Sequence, residues 1–113
     1  MKKVSFEEIG ELTVTFYAQT GVNAGQVVKL AGDSMVGTCA AGDRICGLAT
    51  WSDGECAAVQ VKGFAEIPYT GAVTVGWNKL AADGEGGMTV NESGSDYLVV
   101  SVDSASDTAV ICL

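Results

Sequence analysis

Apolar residues along this chain fall in short runs that alternate with polar ones, and Gly or Asp cuts the runs at close intervals. Leu98, Val100 and Val102 alternate with Val99, Ser101 and Asp103, and Val59 and Val61 alternate with Gln60 and Lys62. A period of two places one side-chain set on each face of a strand, whereas a helix needs a period near 3.6. The pattern predicts strands over Leu12–Ala18, Gln26–Leu30, Ser34–Cys39, Arg44–Thr50, Cys56–Ala65, Met88–Asn91, Tyr97–Asp103 and Thr108–Leu113. Turn chemistry lies between them, at Gly21/Gly25, Gly32-Asp33, Gly42-Asp43, Asp53-Gly54, Gly71, Asp83–Gly87 and Ser93–Asp96. The last two strands read as a hairpin joined by Ser104-Ala105-Ser106-Asp107.

Helical signals are few. Ser5-Phe6-Glu7-Glu8 has the spacing of a capping box, but Gly10 follows at once, so a single turn is expected there. Asn78–Ala82 reads as another helical turn. No segment repeats at a fixed spacing, and the only proline is Pro68. Met1–Glu11, charged and ahead of the first strand, reads either as a mobile N-terminal arm or as a frayed end. Residues 12–113 then form one domain. Short strands with Gly-rich turns imply an all-β fold, a single small antiparallel β-barrel or jelly-roll-like sandwich.

With 113 residues, 48% of them apolar, the chain is long enough to bury a core without staples. Fourteen acids against six bases give a net charge of −8. From Leu80 onward the acids are Asp83, Glu85, Glu92, Asp96, Asp103 and Asp107, and there is no Lys or Arg. An acidic, base-free half argues against nucleic-acid binding, which rests on cations neutralising phosphates. The chain contains no histidine. That excludes Ser-His-Asp and Cys-His mechanisms and removes the commonest metal ligand. Acids at positions 7, 8 and 11 interrupt any signal-peptide core behind Lys2-Lys3, and no apolar run is long enough to span a membrane. The expectation is a protein kept inside the cell, or leaving it by a route other than secretion.

Cys39, Cys46, Cys56 and Cys112 form no C-x-x-C pair, which gives little support to a zinc site. They read as reduced, at least partly buried small hydrophobes.

Four features bear on chemistry. Ala31-Gly32-Asp33-Ser34-Met35, followed by Gly42-Asp43, is similar to the nucleophile segment of the Ser–Lys proteases. There a buried, neutral lysine activates the serine. Lys62 is the lysine to consider, but its alternation with Val61 turns it outward, and a solvated amine stays charged. The plain reading of Gly32-Asp33-Ser34 is a β-turn. Gly84-Glu85-Gly86-Gly87 lacks the Gly-Lys-Ser/Thr of a phosphate loop. Asp43, Asp53, Asp83 and Glu85 lack the spacing of a calcium loop. Trp51, beside the turn Ser52-Asp53-Gly54, and Trp77 are candidates to line a small-ligand or sugar site, or to meet a partner.

Taken in order, the segments form a larger pattern. Gly25-Gln26-Val27-Val28-Lys29-Leu30 leads to a Gly-Asp turn. Ala41-Gly42-Asp43-Arg44-Ile45-Cys46-Gly47-Leu48-Ala49 follows. Then Ala58-Val59-Gln60-Val61-Lys62-Gly63-Phe64-Ala65-Glu66-Ile67-Pro68 runs into Gly71 and Val75-Gly76-Trp77, and the chain closes on Leu98-Val99-Val100 and a strand ending at Leu113. This order resembles the small capsid cement, or head decoration, proteins of tailed bacteriophages and prophages. It covers Gln19–Leu113 and leaves Met1–Glu11 outside. The resemblance implies a non-enzymatic virion protein without cofactors or metal. Its partner would be the major capsid protein of a phage, bound on the outside of the head. It would form a dimer or trimer, and occupy the bacterial cytoplasm before assembly.

Overall fold

The computed structural model describes residues 10–113. The expected turn at Ser5–Glu8 and most of the expected arm, Met1–Glu11, lie outside the described residues. Every regular element within them is a strand: β1 Leu12–Ala18, β2 Val27–Gly32, β3 Met35–Thr38, β4 Gly47–Ser52, β5 Cys56–Lys62, β6 Phe64–Thr70, β7 Gly76–Ala82, β8 Met88–Val90, β9 Ser95–Asp103 and β10 Thr108–Cys112.

Two differences from the sequence-based expectation have clear causes. Asn78–Ala82 is the body of β7, not a helical turn. Its Leu80, Ala81 and Ala82 are buried, and the strand pairs with both β8 and β9, so ladder bonds and burial override local helix propensity. The single strand expected over Cys56–Ala65 is two, β5 and β6, divided at Gly63. Gly63 has φ +97°, and a Cβ there would lie 2.8 Å from the Cα of Glu11. Only glycine allows both that backbone and that approach.

The expected barrel closure occurs twice. β1-β3-β2-β4-β5 close into one barrel, and β10-β6-β8-β7-β9 close into a second. A closed ring of five strands cannot alternate direction all the way round, so one neighbouring pair must be parallel. In the first barrel it is β1–β3, in the second β6–β8. All other pairs are antiparallel.

The two barrels share one connectivity, with β6–β10 retracing β1–β5. The registers agree across β1–β5 and β6–β10, and across β4–β5 and β9–β10, whereas β2–β4 and β7–β9 are offset by two residues. Between β4 and β5 the pairing skips Thr50, passing from Ala49↔Val59 to Trp51↔Ala58. Between β9 and β10 it skips Val100, passing from Val99↔Ile111 to Ser101↔Val110. A β-bulge at the same place in both marks an internal structural repeat. Matching registers also pair the interior positions: Phe16 with Ile67, Val28 with Leu80, Val36 with Met88, Ala49 with Val99, and Val59 with Ile111. Each of these pairs keeps apolar character while the residue changes; at a further matched interior position, Ala57 and Ala109, the residue is kept as well.

The interiors differ in bulk. The first holds Val22, Val28, Val36, Ala49, Ala57 and Val59, with Phe16, Ala18, Cys46 and Val61 packed against them. The second is built on Ile67, Leu80, Met88, Val99 and Ile111, and it also takes in Val27, Ile45 and Leu48 from the first half. Backbone bonds reinforce this junction: Gly42 N–H to Ala82 O at 2.8 Å, Ala82 N–H to Asp43 O at 3.0 Å, and Val27 N–H to Gly86 O at 3.0 Å. Gln60, 5% exposed, donates from Nε2 to the carbonyls of Lys62 and Phe64 at 3.2 and 3.0 Å. The Cα radius of gyration, 13.4 Å, is close to the roughly 13 Å of one compact body this size. The barrels therefore pack as a unit.

Candidate functional site

Three of the four carboxylates considered as cation ligands, Asp43, Asp53 and Asp83, organise turns instead. Asp43 accepts from Lys29 Nζ at 2.7 Å and from the Ala40 N–H at 2.9 Å. The lysine hydrogen bond and the Ala40 N–H hold its carboxyl below the usual range, and the same pair raises Lys29. Asp53 accepts from the N–H groups of Cys56 and Glu55 at 2.8 and 2.9 Å, which lowers its pKa and closes the β4–β5 turn. Asp83 accepts from the N–H groups of Glu85 and Gly87 at 2.6 and 3.1 Å and from Thr70 Oγ1 at 3.2 Å. It thereby ties down the Gly84–Gly87 loop. Among the described residues no three Cys, Asp or Glu side chains come together in a metal-holding group.

Ser34 stands at φ +56° in the β2–β3 turn, and its hydroxyl donates to Asp33 Oδ1 at 3.2 Å. Its carbonyl accepts from the Tyr17 N–H, placing it at the C-terminal end of β1. Lys62 lies opposite Leu12, at the other end of β1. Five residues of strand separate the two, roughly 17 Å. The pairing required for Ser–Lys chemistry is not assembled from these two residues. Lys29 and Lys79 pair with Asp43 and Asp96 instead.

All four cysteines are free and half-buried. Burial pushes the Cys39 thiol up to about 11 and also raises Cys46. Neither is a ready thiolate near neutrality.

The tryptophans do not share a pocket. Trp51 is on β4 of the first barrel and Trp77 on β7 of the second, 52% and 73% exposed. Trp77 faces Leu98 across the ladder, with exposed Val75 close by in sequence. Trp51 faces Ala58, which faces Thr15 in turn. In the next row Tyr17, 62% exposed, faces Cys56. The outward face of β1, β5 and β4 thus carries Thr15, Tyr17, Cys56, Ala58 and Trp51, with no charged side chain among them. A depression of about 290 Å³, lined by Thr15, Phe16, Tyr17, Ser34 and Cys56, opens on it. This face is the strongest candidate for contact with a partner. Sequence reasoning singled out Trp51, but it did not join Trp51 to Tyr17. Their proximity depends on β5 lying between β1 and β4, which no local pattern announces.

No family model matches the chain, and no curated protein matches it.

Proposed function

We propose that this protein is a non-enzymatic structural component of a phage virion, bound to the outer surface of the capsid and stabilising it. The observation that carries this reading is the ordered set of strand and turn segments from Gln19 to Leu113. Gly25–Leu30 leads into β2, Ala41-Gly42-Asp43 forms the turn before β4, and Val59–Pro68 spans β5 and β6 around Gly63. A body of two closed barrels suits the task, because closure removes the free sheet edges through which a β protein aggregates. The net charge of −8 keeps unassembled copies apart and repels packaged DNA. The partner is the major capsid protein, and the functional unit is a dimer or trimer. Like charges oppose that association, and screening beyond roughly 8–10 Å at physiological salt relieves them, so it tightens as salt is raised.

Co-sedimentation with emptied heads of the parent phage tests the reading. Saturable binding at micromolar protein, and heads made more resistant to heat or low salt, are expected. A protein that stays in the supernatant at those concentrations overturns it.

A further inference from the structure

We propose that Asp53-Gly54, at the tip of the β4–β5 turn, is a site of spontaneous covalent modification, where the backbone isomerises to an isoaspartyl link through a cyclic imide. The inference stands apart from the capsid reading, because it rests on the turn alone.

Aspartate followed by glycine is the dipeptide most open to this reaction, because glycine has no side chain to hinder its nitrogen and the backbone turns freely there. The Gly54 nitrogen attacks Cγ of the protonated Asp53 carboxyl. An N–Cγ bond forms, the nitrogen loses its proton, the Cγ–OH bond breaks, and one water leaves. Water then adds to the imide. Opening at Cγ restores aspartate. Opening at the main-chain carbonyl carbon breaks the original peptide bond and leaves the chain running through Cβ and Cγ. The net mass is unchanged, and no oxidant or other co-reactant takes part.

The chain carries this dipeptide twice, at Asp53-Gly54 and at Asp83-Gly84, so the fold decides between them. Locally the two are alike. Asp53 Oδ1 accepts from the N–H groups of Glu55 and Cys56, as Asp83 Oδ1 accepts from those of Glu85 and Gly87. Gly54 and Gly84 have φ +92° and +84°. Their surroundings differ. Asp83 Oδ2 also accepts from Thr70 Oγ1 at 3.2 Å. The loop around it is tied to the first barrel: the Gly86 carbonyl accepts from the Val27 N–H, and Ala82 exchanges backbone bonds with Gly42 and Asp43. A Cβ on Gly84 would lie 3.2 Å from the Ala41 nitrogen. Turning the Asp83 carboxyl toward Gly84 therefore means opening the junction between the barrels. Asp53, Gly54 and Glu55 are all exposed, and a Cβ on Gly54 would meet nothing within 4 Å. Besides the two bonds to Oδ1, the tip is held by Gly54 N–H to Ser52 Oγ at 3.3 Å and Asp53 N–H to Cys56 O at 3.1 Å. All four bonds lie within the turn. An exposed hairpin tip opens at much lower free energy than a packed junction, so attack is far more frequent at Asp53. Isomerisation there lengthens the backbone by one carbon and consumes the side-chain carboxyl that caps Glu55 and Cys56. The turn it loosens lies two residues from Trp51.

Ageing of the full chain tests this. The protein is held for weeks in mild acid, warm but below its melting point, and then digested. Chromatography and mass spectrometry separate each Asp-Gly peptide from its isoaspartyl form of equal mass. Methyl transfer from S-adenosylmethionine by an isoaspartate-specific methyltransferase counts the modified sites independently. In the folded protein, isoaspartate at position 53 is expected to exceed that at position 83 by roughly tenfold or more. In concentrated guanidinium chloride the two positions should age at similar rates, because only the fold separates them. Asp53→Glu keeps the carboxylate on a longer side chain that closes the imide poorly, and it should leave this turn unmodified. Equal or reversed rates in the folded protein overturn the inference. So does a preference for position 53 that persists undiminished in guanidinium chloride, since neighbouring residues then set it rather than the fold. A modified β4–β5 turn in Asp53→Glu overturns it as well.

Discussion

At the scale of single residues, the groups that looked chemical in the sequence are committed to holding turns. Ser34 occupies a left-handed backbone position, and its hydroxyl donates to its neighbour's carboxylate. Ser34→Ala should change stability by less than about 1 kcal/mol, and Ser34→Gly should be neutral or slightly stabilising, because glycine adopts positive φ without strain. Urea midpoints of the two variants check this. Asp43 sets an acid dependence. Its pKa is lowered in the fold, so its contribution is present above its unfolded value near 3.9 and is lost as pH falls through the lower, folded one. Lys29, raised by the same contact, loses its contribution only when pH climbs beyond about 10.4. Denaturation midpoints measured from pH 7 to pH 2 should fall more in the wild type than in Asp43→Asn, and should coincide most closely at the acid end.

At the scale of elements, the alternation of apolar and polar residues located strands well because one face of each is buried. β1 matches its expected span, and β9 and β10 join through Ser104–Asp107. Two elements were not legible. β7 carries Asn78, Lys79, Leu80, Ala81 and Ala82, good residues for a helix. Asn78 is instead anchored by donating to the carbonyls of Thr74 and Gly76 at 2.7 and 3.0 Å, and β8 and β9 flank the strand. The break at Gly63 was hidden because both flanking runs alternate in the same manner. Gly63→Ala should cost more than about 1 kcal/mol, since it forces an alanine to positive φ and against the backbone of Glu11. Thermal denaturation reads the loss. A variant as stable as the wild type would mean that the turn can re-form without glycine.

At the scale of the whole molecule, the two barrels depend on each other unequally. The first has an interior of valines and alanines, and it lends Val27, Ile45 and Leu48 to the core of the second. Unfolding should therefore be one cooperative transition. Emission from Trp51 and Trp77, read separately in the Trp77→Phe and Trp51→Phe variants, should report the same midpoint. Leu48→Ala removes a buried side chain at the junction, so it should cost about 2–5 kcal/mol and lower both midpoints together. Two separated transitions would show instead that each barrel folds alone.

The sequence by itself determined the all-β class and most of the strand positions, because alternation and turn residues are local properties. It also excluded histidine chemistry outright. The tertiary structure alone decided that there are two barrels rather than one. Their repeat is carried mainly by apolar character at matched interior positions such as Phe16 and Ile67, Val36 and Met88, and by residue identity at few, such as Ala57 and Ala109. Burial is satisfied by any apolar side chain of suitable size, so the sequences of the two halves are free to diverge while strand order, the β4 and β9 bulge and closure stay the same. For the same reason Tyr17 and Trp51 look scattered along the chain. They share one face only because β5 pairs with both of their strands.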